Sequence, residues 1–326
     1  MRNFIKWITS AKVNKVLCII TFMFVPLALL TVFTYIPFGK MVGFSFYDMK
    51  YIGDREFVGL KNYAEVFSRD DCFKALKLSL YYIVASFVQL GLALYFATLL
   101  SFKTKAGGLF KGLMFFPYLV CGIAVGFIFK FFYTRGFVLD TILGWCGFNP
   151  ENLPYWLKDQ RINNWSLVAT SVWRYMGQMM VLFIGAIMSV DAELYEAADL
   201  DGANKLQQFR HIILPSIKTI VTLNIILAIT GSLSAFEPPF VITNGGAGTG
   251  TYFVIMNRIA HTSQKVGLAC AMAVVLLVII LVCAGLQQLF FKFVFRDAAS
   301  EDESYSAKRA RLKAEKAAQK AMKGGR

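Results

Sequence analysis

Six stretches of this chain carry almost no charge: Val16 to Gly39, Leu78 to Phe102, Gly112 to Phe129, Trp165 to Val190, Thr219 to Phe236 and Val266 to Phe291. Each reaches or approaches the roughly 20 apolar residues that cross a hydrocarbon core about 30 Å thick. Of the 326 residues, 57% are hydrophobic and only 17% charged, too oily a balance for water-soluble domains. In lipid every backbone N–H and C=O must be bonded within the protein, so only helices and closed barrels span. The short alternating segments of an outer-membrane barrel are absent from the sequence. The expectation is an all-α, polytopic membrane protein with about six transmembrane helices.

The first stretch follows a basic start (Arg2, Lys6, Lys12, Lys15), but its uncharged run exceeds a signal-peptide core and no A-x-A site ends it, so it reads as a retained span. With the N-terminus inside, the inner segments before the tail hold ten Lys/Arg in 52 residues, and the outer segments thirteen in 100. That density favours an N-in, C-in topology. The net charge of +14 owes much to the tail, where eight basic residues lie between Lys308 and Arg326 with Glu315 as the only acid. Such a tail would feel anionic inner-leaflet lipid or remain a solvated face. No base-reading module accompanies it, so no nucleic-acid partner is expected.

The chemistry open to the chain is narrow. His211 and His261 are the only histidines and stand in no metal-ligand spacing, which leaves neither a catalytic zinc nor a histidine triad, and no metal site is expected. The run Gly245-Gly246-Ala247-Gly248-Thr249-Gly250-Thr251 lacks the Gly-Lys-Ser/Thr ending of a phosphate loop. The cysteines (Cys18, Cys72, Cys121, Cys146, Cys270, Cys283) form no C-x-x-C pair and read as inert thiols, with a Cys72–Cys146 disulfide in the outer loops as the other reading. Ion-coupled carriers keep Asp, Glu or His inside their spans. Here Arg174 falls toward the outer interface, where anchoring is its expected role, Lys130 ends the third span, and Glu237 opens Glu237-Pro238-Pro239, where the fifth span must break. A proton or sodium relay is therefore poorly supplied, which weakens an ion-coupled secondary carrier without removing it.

The segment between spans four and five, residues 190–215, parses into two short helices. Asp191 and Glu193 suit the positive end of the first, and Gly202 the left-handed residue that closes it. Asn204 begins the second with Gln207 in capping-box register, and Pro215 ends it. Leu206, Phe209, Ile212 and Ile213 share one face. By periodicity alone the segment is either an amphipathic connector lying at the headgroups or a helix–turn–helix stub shaped to be gripped by a partner.

Glu196-Ala197-Ala198, Asp201-Gly202-Ala203, Phe209, Ile212 and Leu214-Pro215 together resemble the E-A-A-x-x-D-G-A-x-x-x-x-x-F-x-x-I-x-L-P motif of binding-protein-dependent ABC transporter permeases, especially the carbohydrate-importer family that includes the maltose permease. Phe57-Val58-Gly59-Leu60-Lys61-Asn62-Tyr63, completed by Phe67, resembles the F-V-G-L-x-N-Y-x-x-x-F segment of the same permeases. Gly245-Gly246 with Thr249 or Thr251 is similar to their G-G-P-x-x-x-T loop. The resemblance covers about residues 45 to 290. It departs at Ala247, where the family usually has proline, and at Thr219, where a second proline often follows the motif.

The resemblance implies a permease subunit of an ATP-driven importer in a bacterial or archaeal inner membrane, for a carbohydrate and in particular an oligosaccharide. Residues 1–15 would be a cytoplasmic N-terminus, 16–296 the transmembrane permease domain and 297–326 a basic cytoplasmic tail. The implied partners are a second permease subunit, ATPase subunits that bind the ATP and magnesium, an extracytoplasmic solute-binding protein and membrane lipid; this chain itself would hold no cofactor and perform no catalysis. Glu196, Ala197, Ala198, Asp201, Gly202 and Ala203 would couple to the ATPase, Glu196 by polar contact, the alanines by close packing and Gly202 by its turn. Sugars are held by aromatic faces, amides and carboxylates, so the candidate path residues are Gln89, Tyr175, Gln178, Asn224, Ser232, Ser234, Phe236 and Glu237, each of which could instead bond helix to helix. Arg174 and Gln178 lie one turn apart, which keeps an anionic solute such as a glycerol phosphate open. A membrane scaffold or receptor without substrate flux also stays open.

Overall fold

The computed structural model describes residues 11–102 and 106–294. The basic tail and the first ten residues, and with them the expectations made for those segments, lie outside the described residues. Five helices are long and apolar enough to cross a membrane, and six spans result if one sharply bent pair counts as a single crossing.

The chain divides into two compact units. The first takes residues up to 76 together with 250–278. Its helices α1 (Ala11–Leu30) and α2 (Ile36–Phe44) are joined by a π-helical turn, Thr31–Tyr35. Strands β1 (Tyr47–Met49) and β2 (Arg55–Phe57) pair antiparallel with Tyr47 opposite Phe57, and helix α3 (Lys61–Ser68) follows. The Phe57-to-Tyr63 motif works as a staple: buried Asn62 donates to the carbonyls of Ser45 at 2.8 Å and Tyr47 at 2.9 Å, and Gly59 adopts φ +56°. Tyr252, at the head of α14 (Tyr252–Asn257), is fully buried and donates its hydroxyl to the Met272 carbonyl at 3.0 Å.

The second unit takes residues 77–249 and 279 onward. The boundaries fall inside two long helices, α4 (Asp70–Ser101) and the last helix, α15 (Val266–Val294). Between them run α5 (Gly107–Leu119), α6 (Gly122–Tyr133), α7 (Val138–Trp145), α8 (Asn163–Met188), α9 (Ala192–Leu200), α10 (Lys205–Gln208), α11 (Leu214–Ser216), α12 (Lys218–Leu233) and α13 (Glu237–Thr243). Its core sets Ala93, Ala97 and Leu100 of α4 against Met180, Phe183, Ile184 and Ile187 of α8, and receives Ile213 and Ile217 from below α10. Alanines on α4 let the large α8 side chains pack closely.

The expected single third span is corrected. Residues 112–129 do not form one helix; α5 and α6 meet at an angle of 97°. Val120 and Cys121 are extended there, with ψ 136° and 133°, and Pro117 has already removed an N–H from the last turn of α5. Two glycines let the broken pair pack: a Cβ on Gly177 of α8 would strike the Met114 carbonyl of α5, and one on Gly126 of α6 would lie 2.6 Å from Val241 Cβ of α13.

Candidate functional site

The hairpin between spans four and five follows its sequence signals closely. Helix α9 is closed by Gly202 at φ +73°. Asn204 and Gln207 form the reciprocal capping box. The second helix passes Pro215 rather than ending there, reaching Ser216 through a π-helical turn at Phe209–Ile213. Proline has no N–H for the carbonyl four residues back and its ring crowds that carbonyl, so the turn ahead of it widens. The same occurs at Thr31–Tyr35, two residues before Pro37.

Of the expected apolar face, Ile213 is buried and Phe209 packs on the same core, whereas Leu206 points outward. Beneath the hairpin, Tyr195 sets its ring edge-on against Phe102 at 5.7 Å, and burial raises its hydroxyl above the ordinary tyrosine range. A polar lock absent from the sequence reading ties the two helices: Asp199 accepts from Gln208 Nε2 and from Lys205 Nζ at 3.4 Å. Lys205 also donates to Gln208 Oε1 at 2.9 Å, and Gln208 Nε2 donates to the Ala203 carbonyl at 3.2 Å. These bonds hold the Asp199 carboxyl below its ordinary range, the Gln208 amide contributing most. Glu196, Ala197, Asp201 and Gly202 lie exposed, with Ala198 and Ala203 half-buried. Beside them stand two exposed leucines, Leu200 at 90% and Leu206 at 74%. The core-anchored hairpin thus presents an apolar tip with a carboxylate edge to its surroundings.

The second feature is a cavity of about 440 Å³ between α4, α8, α12 and the 234–238 break. All eight candidate path residues line it: Gln89, Tyr175, Gln178, Asn224, Ser232, Ser234, Phe236 and Glu237. Gln89, Asn224 and Ser232 are buried. Ser232, Ser234 and Asn224 donate to carbonyls one turn back on α12, at 2.7, 3.1 and 2.9 Å, which leaves their oxygens as acceptors. Gln89 Nε2 donates to Met179 Sδ at 3.2 Å, a weak partner. The sequence reading missed Tyr82, Ser86 and Ser171 on the same wall. Tyr82, Ser86 and Gln89 recur at helical spacing on an otherwise apolar span, and that period was the available signal. The Tyr82 hydroxyl is buried with no hydrogen-bond partner.

The fifth span breaks where expected and in a particular way. Helix α12 stops at Leu233, and Pro238 and Pro239 stand in the first turn of α13, where a missing N–H costs nothing. Phe236 stacks on Phe240 at 4.7 Å. The expected anchoring role of Arg174 is corrected: its side chain, 13% exposed, forms an ion pair with Glu237. Tyr175 completes the group, its hydroxyl 3.0 Å from Arg174 Nη1 and 3.2 Å from Glu237 Oε2. A charge brought inside a helical bundle needs a partner, and Glu237 at the broken helix supplies it.

The 244–250 loop is tied to the head of α8. Asn163 Nδ2 donates to the Ala247 carbonyl at 2.7 Å, and Asn164 to that of Gly248 at 3.4 Å. Ala247 sits at φ +51°, a conformation closed to the proline usual in similar loops. Thr219, by contrast, lies in the first turn of α12, where proline would fit. Cys72 and Cys146 are both free thiols, the first buried and the second exposed. Among the described residues no cluster of His, Cys, Asp or Glu could hold a metal ion.

Membrane-length helices, one broken crossing and a cavity that mixes polar side chains into a largely apolar wall mark a multi-pass membrane protein. Residues 89–296 match the family described as the binding-protein-dependent transport system inner membrane component. The probable ABC transporter permease protein YurN of Bacillus subtilis is 32% identical over 282 residues, covering 84% of this chain and 96% of the relative. The diacetylchitobiose uptake system permease protein NgcF of Streptomyces coelicolor is 32% identical over 288 residues, 84% of this chain and 82% of the relative. The structure also superposes on a bacterial ABC transporter involved in the import of the acidic polysaccharide alginate, with TM-score 0.73 at 17% identity over 87% of this chain and 98% of the other, a likeness of fold. The chain therefore belongs to the family of binding-protein-dependent ABC transporter permeases, integral components of the inner membrane.

Proposed function

We propose that this permease carries an oligosaccharide inward, through a path built on the cavity between α4, α8 and α12. The observation that carries the reading is the convergence of amides, hydroxyls, a carboxylate and aromatic rings on that one cavity, the mixture that hydroxyl-rich solutes require. Relatives described as permeases for starch degradation products, diacetylchitobiose and arabinooligosaccharides support the same cargo class. Energy enters at the hairpin: Glu196 and Asp201 supply the polar edge, Ala197, Ala198 and Ala203 permit close approach, and Gly202 makes the turn. Leu200 and Leu206 extend the apolar tip. The partners in this reading are a second permease subunit, ATPase subunits carrying ATP and magnesium, a solute-binding protein outside and lipid around the spans. The chain is not itself an enzyme, and both its termini lie inside. Closure of the ATPase pair shifts the population between inward- and outward-open states through the docked lever, and moving such an equilibrium nearly completely takes about 5.5 kcal/mol of differential binding. The Arg174–Glu237 pair weighs against a glycerol phosphate-like cargo, because the cation is already neutralised. Uptake of a labelled carbohydrate panel by the reconstituted complex is the test: transport should need both ATP and the solute-binding protein. Uptake driven by an ion gradient without the ATPase refutes the reading.

A further inference from the structure

On the saccharide reading of the cavity, its charged groups decide which cargo charge it admits. Glu237 is the one charged side chain on the cavity wall among the described residues. Its Oε2 is held by Arg174 and by the Tyr175 hydroxyl, and the Arg174 guanidinium lies 4.9 Å from the centre of the Tyr175 ring. The side chain of Arg174 is 13% exposed against 40% for Glu237, so the cation stands behind the acid and the acid faces the space. Gly122, at the turn into α6, supplies the room, since a Cβ there would strike both the Glu237 carboxyl and the Arg174 guanidinium.

We propose that Glu237, by sequestering Arg174, is a specificity-determining residue that restricts this path to uncharged saccharides and refuses uronate-bearing ones. An anionic sugar entering the cavity gives up hydration and needs a cation in return. The cation here is spent on Glu237, and the charge the sugar meets first is a carboxylate of its own sign. The remaining wall groups, Gln89, Gln178, Asn224 and the serines, are neutral donors and acceptors matched to hydroxyls. A masked cation behind an acid yields a specific signature: removing the acid should convert the site to one that favours anions.

The test uses the full complex of this chain with its partner permease and ATPases, without the solute-binding protein, which would impose its own selection. Equilibrium binding is measured for labelled trisaccharides of glucose and arabinose and for trisaccharides of galacturonate and guluronate. The native complex should bind at least one neutral trisaccharide and hold the uronates about tenfold or more weaker. Glu237→Gln should unmask Arg174 and tighten uronate binding by about tenfold, an effect that raised salt diminishes. Gln178→Lys keeps the Arg174–Glu237 pair and places a new cation on the wall, so it should admit uronates even if Glu237→Gln fails to assemble. Native binding of uronates as tight as of neutral sugars overturns the proposal, as does absence of any uronate gain in an assembled variant. Failure of the native complex to bind any saccharide instead overturns the carbohydrate reading, a separate result.

Discussion

Replacing Gly177 with alanine should cost this protein stability, although the same change eight residues along the same helix should not. A Cβ on Gly177 would lie 2.6 Å from the Met114 carbonyl carbon and 2.8 Å from Phe115 Cα, and closer still to the Met114 oxygen. Ordinary contact between carbons falls near 3.5 to 4.0 Å. All three atoms are backbone, so no side chain can swing away, and α5 must part from α8 by about 1 Å. A gap of that size forfeits roughly a quarter to a half of the dispersion attraction for the atoms along the crossing, and overpacking of this kind costs about 1–3 kcal/mol. Alanine's better helix propensity returns at most about 1 kcal/mol. Gly185 has nothing within 4 Å, so Gly185→Ala keeps only the propensity gain and should be neutral to about 1 kcal/mol stabilising. Thermal unfolding of the purified chain in detergent should put the Gly177→Ala midpoint several degrees below that of Gly185→Ala. Coincident midpoints would show that α5 and α8 do not touch at Gly177.

The other predictions concern the hairpin and the outer loop. Glu196→Lys reverses an exposed charge, so the unfolding midpoint should move by less than about 0.5 kcal/mol equivalent while ATP-driven uptake is lost; uptake at the native rate would remove Glu196 from the coupling surface. The Asp199 carboxyl is held low chiefly by Gln208. Its contribution to the hairpin is therefore present above its unfolded value and lost only as pH falls through the lowered folded value, so titration of this carboxyl should leave ATPase binding unaffected from pH 8 to 5. Asp199→Asn should weaken that binding throughout this range, and unchanged affinity would dissolve the lock. Ala247→Pro forces a residue at φ +51° out of its conformation, at a cost of about 1–3 kcal/mol; faster proteolysis of the 244–250 loop checks it.

Much of the hairpin between spans four and five was legible because its signals are local. Gly202 and the Asn204–Gln207 capping box each act within four residues, and both govern the backbone as read, whereas Asp191 makes no side-chain cap bond at the head of α9. The Asp199–Gln208–Lys205 lock was not legible, since nothing in a run of polar residues tells which side chains meet across a turn. Arg174 was misjudged for a related reason. Counting residues along α8 gives its depth, whereas its pairing with Glu237, 63 positions away, depends on how α8 and the broken fifth span pack. The third span looked continuous because hydropathy counts apolar residues and is blind to two extended dihedrals at Val120 and Cys121.

What the sequence determined by itself is the solvent the protein lives in and the grammar of its short elements, because hydropathy, caps and glycine turns are properties of neighbouring residues. Tertiary structure alone decided which polar groups face one another. It gathered Gln89, Gln178, Asn224 and Glu237 from three helices and a break onto one cavity, and it set Arg174 behind Glu237. Such contacts depend on helix crossings, and a crossing is set by close packing at a few small residues such as Gly122, Gly126 and Gly177, whose role appears only when the backbones meet.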